Sequence, residues 1–202
     1  MIEVRPYGEH ALLALLPADG AVLALAAALT DDPVDGVVEL VPAAQSLLLR
    51  LAPGSEPARV AEQVRGRSVD PAAAPTGELV RIPVSYDGPD LPEVARLCGL
   101  SEQRVVELHT AAELTVAFCG FAPGFGYLTG LPPELTVDRR VEPRTRVPAG
   151  AVGLAGSVTG VYPRESPGGW QLIGRTDVVL FDLDRDPPAL LRPGGRVRFE
   201  AR

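Results

Sequence analysis

Lysine is absent from this chain: all 19 basic residues among its 202 are arginine. That excludes a Schiff-base lysine, a catalytic amine and a phosphate-loop lysine. A codon bias toward arginine is explanation enough for the exchange, and the chemical exclusion holds regardless. Cysteine and histidine are scarce, confined to Cys98, Cys119, His10 and His109, and their spacing makes no recognisable zinc framework, so no structural metal is expected. No apolar run is long enough for a bilayer, since the longest, Ala21 to Leu29, is about half of a span. The N-terminus, Met-Ile-Glu-Val-Arg-Pro, lacks a basic-then-apolar signal pattern, which predicts a cytoplasmic protein with reduced thiols. Positive charge is outweighed: 26 acids give a net charge of -7, which argues against general affinity for nucleic acid or an anionic membrane.

What is present in excess is concentrated in one stretch, Phe118 to Thr176. Residues 120 to 175 hold 11 of the 21 glycines and 7 of the 21 prolines, and the stretch also carries most of the aromatics, including the only tryptophan. Glycine allows close approach, proline fixes φ and aromatic rings must pack, so the mixture predicts an ordered, sharply shaped surface rather than a linker.

Taken in order, the chain reads as an α+β protein. Residues 11 to 16 suit a buried strand ended by a turn at Pro17 to Gly20, and Ala21 to Thr30 a helix. Val37 to Val41 and Ser46 to Leu51 suit strands, and Val60, Ala61 and Val64 recur at helical spacing within Glu56 to Arg67. Ser68 to Gly77 has the composition of a connector. We therefore expect a small α/β domain over 1–75 and a β-barrel domain over 76–202. The second begins with strand Leu79 to Tyr86. Asp90 with Glu93 forms a capping-box pattern for a helix ending at Gly99, and Ser101 caps a helix reaching His109. This helix pair could suggest a DNA-binding helix-turn-helix, but from Asp87 to Leu114 six acids face two arginines. Short strands follow at Leu114 to Phe118, Val152 to Ala155, Gly160 to Tyr162, Trp170 to Gly174, Val178 to Phe181 and Arg196 to Phe199, the pattern of a closed or nearly closed barrel.

Between Asp138 and Thr176 six arginines meet three acids, a local positive excess in an acidic chain. The arginine fork suits carboxylate or phosphate. Pairing with acids is as good an account of Arg139, Arg140 and Arg164, and a poorer one of Arg144, Arg146 and Arg175, whose neighbours are turn residues. His109 suits either a general base or a cation at a helix end. Cys119 reads as a small buried residue rather than a nucleophile. Ser157, Thr159 and Ser166 lie in glycine-rich turns where hydroxyls could hold an oxyanion. Gly150 to Gly156 is no dinucleotide fingerprint, lacking a strand before it and a helix after it.

Gly120-Phe-Ala-Pro-Gly-Phe-Gly-Tyr-Leu-Thr-Gly-Leu-Pro132, Arg139-Arg140, Pro143 to Gly150, Gly153-Leu-Ala-Gly156, Thr159-Gly-Val-Tyr-Pro163 and Ser166 to Thr176 together resemble the signature of the 5-oxoprolinase B-type subunits. That family also takes in KipI-type sensor-kinase inhibitors and allophanate hydrolase subunit 1. The resemblance covers nearly the whole chain and implies a cyclophilin-like β-barrel behind the small N-terminal domain. It further implies a heteromer, of heterotetramer type, with a homologous C-type subunit. Together with an A-type subunit it would open 5-oxoproline to glutamate using ATP as co-substrate, at a site shared with the partner.

Carried over by position, the resemblance gives Arg144 or Arg146 a carboxylate or phosphate to hold, His109 a proton-transfer role, and Gly168 and Gly169 backbone amides near the ligand. Tyr127, Thr159, Tyr162, Ser166, Trp170 and Arg175 would bind substrate, with Phe121, Pro123, Gly124 and Phe125 shaping the wall. Gly126 and Val158 stand where the family commonly has proline and glutamine, which bears on specificity. A KipI-type inhibitor of histidine-kinase autophosphorylation and an allophanate or urea amide hydrolase subunit are the alternative functions.

Overall fold

A computed structural model describes residues 2–16, 20–70 and 77–202. The chain divides into two compact units, Met1–Pro75 and Thr76–Arg202. Most of the expected connector, and of the turn after residue 16, lies outside the described residues.

In the first unit β1 (Glu3–Pro6), β2 (Ala11–Leu15), α1 (Ala21–Asp31), β3 (Val37–Pro42), β4 (Ser46–Leu51) and α2 (Pro57–Arg65) follow one another. The strands form one antiparallel sheet in the order β1-β2-β4-β3. Strict alternation puts Leu12 and Ala14 of β2 and Leu47, Leu49 and Leu51 of β4 on the buried face. Val22, Leu25 and Leu29 of α1 and Val60 and Val64 of α2 complete that core.

The second unit starts with β5 (Leu79–Val84), then α3 (Leu91–Cys98) and α4 (Glu102–Ala111). It continues through β6 (Leu114–Cys119), β7 (Gly126–Thr129), a 3-10 turn (Pro133–Leu135), β8 (Arg144–Val147), β9 (Ala151–Ala155), β10 (Val158–Val161), β11 (Ser166–Gly168), β12 (Gln171–Arg175) and β13 (Arg196–Ala201). Seven strands form one sheet in the order β12-β9-β10-β7-β6-β13-β5, while β8 and β11 pair separately. Within the sheet the β13–β5 pair is parallel and the others are antiparallel.

The two edges of the large sheet are laced together just beyond β5. Ser85 and Arg175 exchange both backbone hydrogen bonds at 2.9 Å, Gly88 N–H donates to the Ile173 carbonyl at 3.2 Å, and Asp90 N–H to that of Leu172 at 2.9 Å. The sheet is thus a nearly closed barrel, which removes its exposed edges. Ile82, Leu114, Leu128, Leu154, Ile173 and Phe199 fill it, and α3 and α4 add Val94 and Val105 to the same core.

Two local expectations are corrected. Val178 to Phe181 is not a strand; an isolated bridge between Phe181 and Ala189 is what forms there. Asp90 does flank the start of α3, but its side chain caps nothing there. Ser101 does cap α4, accepting from Arg104 N–H at 3.1 Å. Among the described residues no helix is long and apolar enough to cross a membrane.

The lacing depends on missing side chains. A Cβ on Gly88 would lie 2.3 Å from the Ile173 carbonyl carbon, and one on Gly174 would lie 2.6 Å from the Ser85 oxygen. Gly88→Ala should therefore cost about 3 kcal/mol in urea unfolding by prying the edges apart. Gly120→Ala, whose Cβ would meet only Tyr127 at 4.0 Å, should stay within about 0.5 kcal/mol of wild type. Equal stability of the two variants would contradict this account of closure.

Candidate functional site

The lacing ends on Asp90, and the side chains that converge there come from distant parts of the sequence. Asp90 is 3% exposed. Its Oδ2 accepts from Leu172 N–H at 2.7 Å, and its Oδ1 accepts from Arg140 Nη1 at 2.9 Å and Arg144 Nη2 at 2.7 Å. A buried carboxylate persists only where charge and hydrogen bonds meet it, and here two guanidiniums and an amide do so. The arginines are themselves held. The Arg140 backbone N–H donates to the Gly169 carbonyl at 2.8 Å, Gln171 Nε2 donates to the Asp138 carbonyl at 3.2 Å, and Arg144 pairs with Gly168 between β8 and β11. Arg140 and Arg144 remain 34% and 23% exposed in their side chains. Arg140 Nε, Arg144 Nη1, Ser166 Oγ and Gln171 Oε1 are buried without a hydrogen-bond partner on the protein. Two guanidinium charges on one carboxylate, with donors unspent, make a cationic cluster suited to an anion.

Beside it lies a second, aromatic core. Phe125 meets Tyr127, Tyr162 and Trp170 at centroid distances of 5.0, 5.3 and 5.3 Å, and Phe118 stacks on Tyr127 at 4.2 Å. Phe121, at φ 67° and 59% exposed, presents its ring at the outer edge, 6.4 Å from Tyr162. A non-glycine residue at positive φ is strained, and the ring contacts with Phe125 and Tyr162 help to hold it. Tyr162 joins the two cores. Burial pushes its hydroxyl pKa up, against the Trp170 backbone N–H and the charges of Arg139 and Arg144. Gly168 passes so close that a Cβ there would lie 2.4 Å from the Tyr162 hydroxyl.

The expected site residues thus separate into two groups. Arg144, Tyr162, Ser166, Gly168, Gly169, Trp170 and Tyr127 gather around these two cores. The other four lie elsewhere. Arg146 is taken up by Glu165 at 2.6 Å and Arg175 by Asp87 at 2.9 Å, both on the surface, so neither joins the cluster. His109 and Thr159 are fully buried in the barrel.

The structure places His109, expected in a proton-transfer role, in a closed hydrogen-bonded setting. Thr159 Oγ1 spends its one proton on the Gly153 carbonyl at 3.0 Å, so it must accept from His109 Nε2–H at 3.0 Å. His109 Nδ1 is then the acceptor for the Tyr86 hydroxyl at 2.7 Å, and the ring stacks on Phe199 at 4.5 Å. Burial lowers its pKa to about 3 and raises that of Tyr86. Both stay neutral and serve as a hydrogen-bonded core. Burial likewise raises the Cys119 thiol pKa, keeping it protonated and a poor nucleophile.

Asp90 and Arg140 are the candidates that sequence reasoning passes over. Arg140 is visible there as part of the local arginine excess; Asp90 carries only a capping signature. Two clefts in the first unit, beside Val34 and Val38 and beside Val4 and Pro57, are lined mainly by aliphatic side chains and offer no comparable chemistry. Among the described residues no group of three or more His, Cys, Asp or Glu side chains is placed to hold a metal ion.

Comparison with known proteins adds a family. The family model for the carboxyltransferase domain, subdomain C and D, matches residues 2–191. A protein of Escherichia coli O157:H7, named as the B-type subunit of 5-oxoprolinase, is 57% identical over 131 residues, which is 63% of this chain and 60% of that relative. The protein of the same name in Bacillus subtilis (strain 168) is 41% identical over 201 residues, 90% of this chain and 82% of its own length. Among solved structures, TTHA0988 superposes with a TM-score of 0.79 at 39% identity, over 96% of this chain and 40% of that one. The matched segment thus spans less than two thirds of the Escherichia coli relative and of TTHA0988.

The neutral His109 has a measurable consequence. As pH falls from about 6.5 toward 3, the unfolded chain takes up a proton that the folded ring refuses, so stability is complete above that window and is lost on acidification. The loss is up to about 1.4 kcal/mol per pH unit. In His109→Gln it is absent. The stability advantage of wild type over the variant, read by urea unfolding, should therefore shrink by about 2 kcal/mol between about pH 7.5 and pH 5. A constant difference would mean that the ring is not held neutral.

Proposed function

Because the chain belongs to the family of 5-oxoprolinase B-type subunits, with the carboxyltransferase subdomain C and D model matching residues 2–191, we propose that it serves as the B-type component of an ATP-dependent 5-oxoprolinase. In this reading it acts with a homologous C-type subunit and an A-type subunit to activate 5-oxoproline for hydrolysis to glutamate. The observation that carries the reading is the cationic cluster of Arg140 and Arg144 on Asp90 beside the aromatic core. 5-Oxoproline is a small ring bearing a carboxylate, and such a site offers guanidinium donors for the anion and ring surface for the apolar carbons.

The chemistry also explains why the chain needs partners. A lactam is an unactivated amide; transfer of a phosphoryl group to its oxygen makes a leaving group and permits ring opening by water. Phosphoryl transfer calls for groups that cradle and neutralise the nucleotide phosphates. This chain has no lysine, and its glycine-rich segment at Gly150 to Gly156 is largely occupied by β9 rather than forming a loop into a helix. The residues here fit the substrate carboxylate, and they do not by themselves fit a complete nucleotide site. In this reading ATP binds at a site shared with the C-type subunit. What this chain contributes is binding and orientation, with Arg144 and Arg140 on the anion and Tyr127, Tyr162 and Trp170 as the wall.

Co-expression of this chain with C-type and A-type subunits should give release of glutamate from 5-oxoproline that depends on ATP, measured by coupled glutamate dehydrogenase assay. The chain alone should give none. No release from the full set would reject the proposal, and release by the chain alone would reject the shared site.

A further inference from the structure

We infer that Asp90 is a positioning residue that sets Arg140 and Arg144 as a fork selective for a carboxylate-bearing ligand. The inference rests on the reading of this site as the place where substrate binds. One arginine would be enough to neutralise a single buried carboxylate. Here Asp90 Oδ1 takes two, at 2.9 and 2.7 Å, while Oδ2 is committed to Leu172 N–H at 2.7 Å. The second guanidinium is therefore surplus to the pairing of Asp90; Glu93, the other carboxylate whose charge reaches Arg140, is committed through both oxygens to Arg96, so one positive charge is left over within the cluster. Two like charges brought to one oxygen atom repel, and an anion reaching both relieves that repulsion.

The unspent donors agree with the charge. Each guanidinium has five N–H donors, and each gives one hydrogen bond to Asp90. Arg140 Nε and Arg144 Nη1 have no protein partner although both are buried, and neither has Ser166 Oγ on the neighbouring strand β11. A carboxylate has two oxygens with about four lone-pair sites and a single negative charge, which matches the surplus in both number and charge; a polyphosphate would overfill it. Asp90 does not have a competing local duty, because its side chain does not cap α3. It is anchored instead to β12 through both its backbone and its side chain, so the fork is referred to the barrel wall rather than to a loop. Preorganisation of this kind lowers the cost of binding without touching the reacting atoms.

The test uses the assembled enzyme and three variants, Asp90→Asn, Arg140→Gln and Arg144→Gln, with the surface variant Arg104→Gln, whose side chain pairs with Glu107, as control. Asp90→Asn keeps the shape and an acceptor for Leu172 N–H but removes the charge that holds the fork. KM for 5-oxoproline should rise about tenfold, equivalent to about 1.4 kcal/mol, with kcat within about twofold. Inhibition by 2-pyrrolidinone, the same lactam without the carboxylate, should be unchanged, and Arg104→Gln should behave as wild type. A merely structural Asp90 would instead lower the yield or melting temperature of the assembly and weaken both ligands alike, which would overturn the inference. Should Asp90→Asn fail to fold, the two arginine variants give the same comparison, and unchanged KM in both would overturn it. If the wild-type assembly does not turn over 5-oxoproline, the proposed function falls while calorimetric titration of this chain with 5-oxoproline and with acetate still decides the fork. Binding weakened about tenfold by Arg144→Gln supports it, and no binding, or binding indifferent to the variants, sinks it.

Discussion

A carboxylate that is 3% exposed must have its charge met where it lies, and meeting the charge of Asp90 ties together three stretches far apart in sequence. Arg140 and Arg144 lie 50 and 54 residues away from it, and Leu172 lies 82 away. The same short run of chain, Ser85 to Asp90, supplies the hydrogen bonds that lace β5's end of the sheet to β12. Barrel closure and the arrangement of the arginines are thus one event. The entropy of closing such long loops is met by the barrel core as a whole, and the arginines inherit a fixed position from it. A site built this way cannot be assembled by the glycine-rich segment alone, because its anchor belongs to the other end of the sheet.

The glycine and aromatic richness of Phe118 to Thr176 has a related cause. β9 and most of β12 are buried on both faces, Val152, Leu154 and Ile173 toward the barrel and Ala151, Ala155 and Leu172 toward the aromatic core. A strand covered on both sides reads as a continuous apolar run. Trp170 lies against this wall only because the strands beneath it lack side chains. A Cβ on Gly153 would be 3.1 Å from Trp170 Cβ, and one on Gly160 would be 3.1 Å from its Cζ3. Glycine removes volume and the rings fill it. The two enrichments are therefore one packing solution, and its outer edge carries the exposed Phe121 ring.

Elements with strong local signals are legible in the sequence. β4 spans Ser46–Leu51 as its apolar run predicts, and Ser101 caps α4. β1, β7, β8 and β11 carry no such signal. Arg-Thr-Arg-Val and Ser-Pro-Gly become strands because β8 and β11 find each other across a separation of about 20 residues, and composition does not encode a partner at that distance. The same limit governs the site. Asp90 before Glu93 satisfies a capping-box pattern whether or not the carboxylate turns back to the helix, and the arginines that divert it are invisible locally. Arg146 and Arg175 look unpaired in the sequence because Glu165 and Asp87 are 19 and 88 residues distant. His109 stands in the last turn of α4, where a cation is favoured, yet its ring faces Phe199 inside the barrel.

The absence of lysine gives the cluster a property that a mixed one would lack. An arginine stays protonated at any pH a protein survives, and its fork is planar and directional. Arg140 and Arg144 offer that fork to an anion, while the titratable groups of the same unit are driven to neutrality: burial holds His109 neutral inside the barrel and keeps the hydroxyls of Tyr86 and Tyr162 protonated. Such a cluster is suited to holding an anion and poorly suited to transferring protons. Under the proposed function this division is useful, because a substrate carboxylate clamped by planar, directional donors keeps its orientation when protons move at the lactam. It also places the burden of proton and phosphoryl transfer on groups outside the cluster, which is the physical reason for expecting the reacting end of the ligand to face another subunit.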